Sequence, residues 1–344
     1  MIIGVPRERK TLEKRVALTP NGTLELVKGG HKVLIETHAG AGSFFPDSEY
    51  EKAGATIVKT LAEVWGAAEL LVKVKEPAPE EYPLMRKGIT IFDYLHLAGI
   101  PGLEAEFKKS GARGIAYEMV QLDDRRLPLL EPMSEIAGRL GVINGANHLL
   151  SQHGGRGILL GGSLGVPPAK VLVCGAGIAG KAAALAAVGL GAEVTVLDID
   201  GKKLDAVRGL THGAAKTLFS SQGQLEALCP EVDLLIAAVL IPGAHAPRII
   251  TTSMVKSMHE GSVIVDISID QGGCVETIKP TTLAAPTYIE HGVIHYGVTN
   301  MPAQTPRTST IALTSATLPY LLKLANLGID QAVATIPELK KALV

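Results

Sequence analysis

Aromatic residues are scarce in this sequence, at 4%, so a hydrophobic interior must be assembled largely from Ala, Val, Ile and Leu within a hydrophobic content of 47%. Such side chains suit parallel sheets buried on both faces. An excess of either charge is also lacking: 33 basic against 34 acidic residues leave −1, and no block of like charge occurs. That balance argues against nucleic acid and anionic membrane as partners. Long apolar runs are missing too. Leu234 to Ala244 and Ala182 to Ala192 fall far short of the ~20 residues of a membrane-spanning helix, and the opening Met1-Ile2-Ile3-Gly4-Val5-Pro6 lacks the parts of a secretory signal. A cytoplasmic location is expected. Cysteine is limited to Cys174, Cys229 and Cys274, with no Cys-x-x-Cys pair for zinc or redox exchange. No metal is expected, and the three thiols should serve as small buried hydrophobes.

What is present is an alternation of short β-branched runs with longer helical patterns over 344 residues, a length that suggests two domains. Strands are predicted at Ile2 to Val5, Lys32 to Glu36, Glu69 to Lys75, Ile89 to Leu95 and Arg113 to Glu118. A second series runs through Lys170 to Cys174, Glu193 to Leu197, Asp233 to Val239, Ser262 to Ile269 and Val293 to Val298. This pattern predicts an α/β protein with two doubly wound, Rossmann-like domains. Met133 to Ser151 has a helical period through Ile136, Leu140 and Ile143, and a second apolar helix carries Ile311, Leu318, Leu321 and Leu324 before Gly328. Placed between and after the two strand series, these helices carry the chain out of the first domain and back. The expected division is a substrate domain of residues 1–128 completed by 306–344, and a dinucleotide domain of 129–305. The active site is expected in a cleft between them, a common location for small ligands.

The clearest motif is Gly175-Ala176-Gly177-Ile178-Ala179-Gly180, between the strand at Lys170 and an Ala-rich helix. Gly175 permits a tight turn, Gly177 lets backbone approach a pyrophosphate, and Gly180 lets helix pack on strand. The helix N-terminus favours the phosphate charge. Asp198 closes the next strand, where an acid that binds the ribose and repels a 2′-phosphate is expected, so the cofactor should be NAD. A turn or cap role in Asp198-Ile199-Asp200-Gly201 is the competing reading. Lys202 and Lys203 lie close by and temper the preference against NADP. Lys203 joins the candidate cofactor contacts, its plainer role being a solvated helix start.

Four polar residues lie at predicted strand ends or in a loop facing them: Arg15, Lys75, His96 and Asp270. Carboxyl ends of strands in open α/β sheets face the ligand crevice. Taken singly, each has a structural alternative: surface ion pairs for Arg15 and Lys75, a satisfied core histidine for His96, a turn former for Asp270.

The stretches around them, Arg15-Val16-Ala17-Leu18-Thr19-Pro20, Val72-Lys73-Val74-Lys75-Glu76-Pro77, Tyr94-Leu95-His96-Leu97-Ala98, Pro132-Met133-Ser134-Glu135, Ile269-Asp270-Gln271-Gly272-Gly273 and Pro306-Arg307-Thr308-Ser309-Thr310, resemble the alanine dehydrogenase family. The resemblance implies NAD-dependent interconversion of L-alanine with pyruvate and ammonium, and a homo-hexamer. It implies that Arg15, Lys75, His96 and Asp270 form the active site, and that Ser134, Asp198 and Asn300 contact NAD. The chemistry suits these residue types. A guanidinium clamps a carboxylate, Lys75 holds a carboxylate or keto oxygen, and His96 supplies a group titrating near neutrality for proton transfer. Asp270 would orient the attacking water and stabilise positive charge on nitrogen. Val166-Pro167-Pro168-Ala169-Lys170-Val171 also resembles the NAD-binding subunit of proton-translocating transhydrogenase. That protein, a related opine- or saccharopine-type dehydrogenase, and a catalytically silent NAD-binding protein are the alternatives.

Overall fold

The two strand series fold as two units, Met1–Met133 with Ala303–Val344 and Ser134–Pro302. The computed structural model describes residues 1–240 and 245–344, so the last part of the apolar stretch from Leu234, Ile241 to Ala244, lies outside the described residues. The first unit opens with β1 (Ile2–Val5), α1 (Pro20–Lys28), β2 (Lys32–Glu36), α2 (Asp47–Lys52), β3 (Thr56–Val58), α3 (Leu61–Ala67), β4 (Leu70–Lys75), β5 (Thr90–Tyr94), α4 (Leu103–Ser110) and β6 (Arg113–Ala116). The strands pair in parallel in the order β3-β2-β1-β4-β5-β6. This is a doubly wound sheet whose switch point lies between β1 and β4. Local chemistry sets the helix starts: Thr60 and Glu63 form a reciprocal capping box at α3, and loss of such a cap costs about 0.5–2 kcal/mol. Trp65 is fully buried in one core with Val64, Leu71, Ile91 and Phe107. Each such side chain stabilises the fold by about 1.5–3 kcal/mol. Strand β3 was not visible as a period because only three residues form it, at the sheet edge.

The chain enters the second unit within α5 (Glu131–His148) and continues through β7 (Lys170–Cys174), α6 (Ile178–Gly189), β8 (Glu193–Asp198), α7 (Gly201–Leu210), β9 (Lys216–Phe219), α8 (Gln222–Leu228), β10 (Leu234–Ala237), α9 (Thr252–Ser257), β11 (Val263–Asp266), β12 (Thr287–Glu290) and β13 (Val293–Tyr296). Among the described residues the sheet order is β12-β13-β11-β10-β7-β8-β9. Six strands repeat the doubly wound order with the switch point between β7 and β10. The seventh, β12, is antiparallel to β13. Its two-residue connection, His291-Gly292, has both φ values positive, as a primed hairpin turn requires.

The predicted strand from Ser262 to Ile269 is shorter than expected. β11 ends at Asp266, whose carboxylate accepts the amides of Ser268, Cys274 and Val275, and Ile267–Gln271 turn into a 3-10 helix. Asp270 therefore sits in this turn rather than on a strand. Cys174, Cys229 and Cys274 are buried free thiols. The last segment, α10 (Pro306–Leu327), α11 (Ile329–Thr335) and α12 (Pro337–Lys341), returns to the first unit. Leu313, Leu321 and Leu324 of α10 are buried, but Ile311, like Ile143 of α5, is exposed. No helix among the described residues is long and apolar enough to cross a membrane.

Candidate functional site

In the first unit Lys75 and His96 lie at the ring of Tyr94, the last residue of β5, and Arg15 interacts with Tyr94 electrostatically. Arg15 lies in the loop after β1 and is almost fully buried, 2% exposed. Its Nε and Nη2 donate to Glu13 at 2.7 and 2.5 Å, and Nη1 lies 3.2 Å from Met133 Sδ. Burial opposes the charge, but Glu13 more than restores it and the guanidinium pKa rises. Lys75, at the end of β4, places Nζ 5.9 Å from the Tyr94 ring centroid, and the His96 ring lies 5.6 Å from the same ring. The Tyr94 hydroxyl donates to the Leu129 carbonyl at 2.5 Å.

His96 has left-handed backbone, φ 46 and ψ 39, uncommon for a non-glycine residue and costly enough to need support. Glu118 provides it, accepting the His96 amide at 2.6 Å and the Leu95 amide at 3.3 Å. The expected titration near neutrality does not hold in this state. Burial, and after it the Lys75 ammonium, push the imidazole down to about 4. His96 is thus a neutral base at physiological pH, with Nδ1 buried and without a hydrogen-bond partner among the described residues.

Sequence reasoning missed the carboxylates behind these residues. Glu13 and Glu8 lie in the Arg15 loop, Glu81 follows β4, and Asp93 precedes Tyr94; Glu8, Glu13, Glu81 and Asp93 are all buried. A buried Lys73 bonds Glu81 at 2.9 Å and lies 3.7 Å from Glu8. Lys73, inside an apolar strand run, was the one signal that buried acids were needed to pair it.

The second unit holds the remaining predicted residues. Gly175 has φ +103, and an added Cβ would come within 2.6 Å of the Ala238 carbonyl oxygen. At Gly180 a Cβ would lie 1.7 Å from the Gly175 oxygen, whereas nothing lies within 4 Å of one at Gly177. The first and third glycines are therefore required by packing and the second faces open space. Gly177 caps α6 without a side-chain hydrogen bond, so the helix start offers amide donors to a phosphate.

Asp198, the last residue of β8, accepts the Ala176 amide at 2.6 Å and the Asp200 amide at 2.9 Å. It ties the glycine loop to the turn, and a carboxylate retains acceptor capacity beyond two bonds. Lys203 is exposed in the first turn of α7, and Ser134 is partly buried near the start of α5. Asp270 is exposed, and its Oδ2 lies 3.4 Å from the Asn300 amide. Asn300 is also left-handed, at φ 59. These residues fit a dinucleotide: an open second glycine, a helix start and an acid at the end of the second strand.

Comparison with known proteins agrees with this geometry. The profile described as Alanine dehydrogenase/PNT, N-terminal domain, matches residues 4–137, and its C-terminal counterpart matches 141–344. The chain is 53% identical to "Alanine dehydrogenase 2" of Staphylococcus aureus (strain USA300) over 333 residues, covering 96% of this chain and 89% of that protein. It is 52% identical to "Alanine dehydrogenase" of Bacillus subtilis (strain 168), covering 100% and 90%. Among solved structures, an L-alanine dehydrogenase superposes with a TM-score of 0.97 at 50% identity, covering 100% and 94%. A transhydrogenase from Sinorhizobium meliloti gives 0.83 at 27%, covering 95% of each. With both halves matched by the paired domain profiles and more than half the residues identical to named relatives along nearly the whole length, the chain belongs to the alanine dehydrogenase/PNT family.

Proposed function

We propose that this protein is an NAD-dependent alanine dehydrogenase, an oxidoreductase that converts L-alanine to pyruvate and ammonium and runs the reverse reductive amination. The carrying observation is a lysine and a neutral histidine at the ring of Tyr94, with a buried arginine in electrostatic reach of the same residue, in a member of this family. A small anionic acid needs fixed positive charge and an adjacent base, and these three residues provide both. The greater identity to alanine dehydrogenase than to transhydrogenase supports this reading over a nucleotide-binding subunit.

Arg15 and Lys75 hold the substrate carboxylate and carbonyl oxygen. NAD, when bound, supplies the acceptor for the hydride that leaves the α-carbon. The iminium left on the substrate is attacked by water. His96, neutral before the step, takes the proton that the water loses, returns it to the amino nitrogen, and takes up the hydroxyl proton as the adduct collapses to pyruvate and ammonia. Asp270 orients that water and stabilises positive charge on nitrogen. Ser134, Lys203 and Asn300 contact the cofactor, Asp198 holds its ribose, and Gly175, Gly177 and Gly180 shape the pyrophosphate cradle.

The protein is assigned to the cytoplasm as a homo-hexamer whose partners are small molecules, neither nucleic acid nor membrane. The balanced charge and the exposed Leu159, Leu164, Val166 and Leu190 of the second unit support this. NADH formation followed with L-alanine, with other L-amino acids and with none tests the reading. Activity confined to a larger amino acid, or absent with all of them, would overturn it.

A further inference from the structure

Strand β4 carries an extra residue at its end, where Lys75 lies over Tyr94. Its pairing with β5 advances from Val72↔Phe92 to Lys75↔Tyr94, three residues against two. A bulge of this kind bends the strand, redirects side chains and leaves backbone amides outside the ladder. Lys73 and Lys75, which a regular strand would put on one face, have different surroundings: Lys73 meets Glu81 and Glu8, and Lys75 lies over Tyr94.

The amides at the bulge are taken by one side chain. Glu8, in the loop that also carries Arg15, accepts from Val74 N at 2.6 Å through Oε1 and from Lys75 N at 3.3 Å through Oε2. The loop is itself anchored, because Glu36 accepts the Arg7 amide and pairs with Arg9.

Resting on the reading of Lys75 as a substrate-binding cation, we propose that Glu8 is a positioning residue: by holding the bulged end of β4 it sets the Lys75 ammonium in place and ties it to the Arg15 loop. With its carboxylate engaged by the Val74 and Lys75 amides and by Lys73, Glu8 acts through Lys75.

Glu8 is also poised to make that grip depend on pH. Burial raises its carboxyl to about 7, with Lys73 opposing and Glu13 and Glu81 adding to the rise. Arg15, Asp93 and Tyr117 also interact with it electrostatically. Ionised, Glu8 offers an acceptor to each amide; protonated, it keeps only one good acceptor. Substrate binding should therefore weaken as pH falls through about 7.

The test is equilibrium binding of pyruvate to the enzyme–NADH complex without ammonium, read from NADH fluorescence, in wild type, Glu8→Gln, Lys75→Met and the double variant. The expected result is about tenfold weaker pyruvate binding in Glu8→Gln, the scale of one hydrogen bond to a charged group, with NADH affinity unchanged. In the Lys75→Met background the same substitution should change pyruvate affinity by less than about twofold, because coupled residues are non-additive. Equal loss in both backgrounds, or none in either, overturns the proposal. An unaltered pyruvate affinity in Lys75→Met alone instead overturns the assignment of Lys75. Should Glu8→Gln fail to fold, pH profiles of the same binding decide: a step near 7 in wild type that is absent in Lys75→Met supports positioning, and parallel profiles refute it.

Discussion

Burial and the Lys75 ammonium hold the His96 imidazole down to about 4. A carboxylate bound beside Lys75 offsets the second cause, so the imidazole should gain basicity in the substrate complex. In deamination the neutral ring is the active form, and activity falls as pH drops through its pKa. In Glu8→Gln, which removes the carboxyl that titrates at about 7, the acid limb of kcat, which reports the complex, should accordingly lie at higher pH than that of kcat/KM, which reports the free protein. Coincident limbs would show that substrate does not neutralise Lys75. His96→Ala should leave NADH binding intact and lower turnover by about 10²–10⁴-fold; turnover within a few fold of wild type would mark His96 as structural. Asp198 is a second residue with two duties. Its bonds to Ala176 and Asp200 are structural, and its remaining acceptor capacity is available to ribose hydroxyls. Asp198→Ala should reduce efficiency with NAD by about 1.5–3 kcal/mol while efficiency with NADP holds or rises, since a charge opposed to a 2′-phosphate is gone. The ratio of the two efficiencies is the readout, and an unchanged ratio would leave Asp198 only its turn role.

At the scale of elements, the β7–α6 junction separates a glycine that packing needs from one that a ligand needs. A methyl at Gly180 meets the Gly175 carbonyl oxygen at 1.7 Å, so helix and strand must move apart. A methyl at Gly177 meets no protein atom within 4 Å. Gly180→Ala should therefore lower Tm and NADH affinity together. Gly177→Ala should keep Tm within a degree or two, in line with ordinary surface substitutions of about ±0.5 kcal/mol, and still weaken NADH binding. Thermal melts and NADH titrations of both variants check this, and undisturbed NADH binding in Gly177→Ala would remove the pyrophosphate from that position.

For the whole molecule, the proposed hexamer makes a specific demand on the second unit. Ser163 and Val166 form an antiparallel bridge, and at its tip Leu164 is completely exposed, beside exposed Leu159, Val166 and Leu190. Apolar side chains left exposed in one region in this way are candidates for burial at the proposed subunit contact. Leu164→Asp should shift sedimentation from six chains toward smaller species while leaving the chain folded, because Leu164 contributes nothing to the core. An unaltered hexamer would place the subunit contacts elsewhere.

The linear order of residues by itself determined the two doubly wound sheets, since strand periods, glycine spacing and the acid that ends β8 are all local signals. The family follows from it too, because Arg15, Lys75, His96 and Asp270 stand within short, specific stretches. Edge strands β3, β9 and β12 escaped detection, being three, four and four residues long, and the alternation through Asp266 to Asp270 imitated a longer strand. Only tertiary structure decided the surroundings of the polar residues. Glu13 pairs with Arg15, Glu118 caps the turn at His96, and Glu8 holds the bulge before Lys75. Glu8 and Val74 are 66 residues apart, and the pKa of a buried group depends on burial and on neighbours brought from such distances. No local pattern records that.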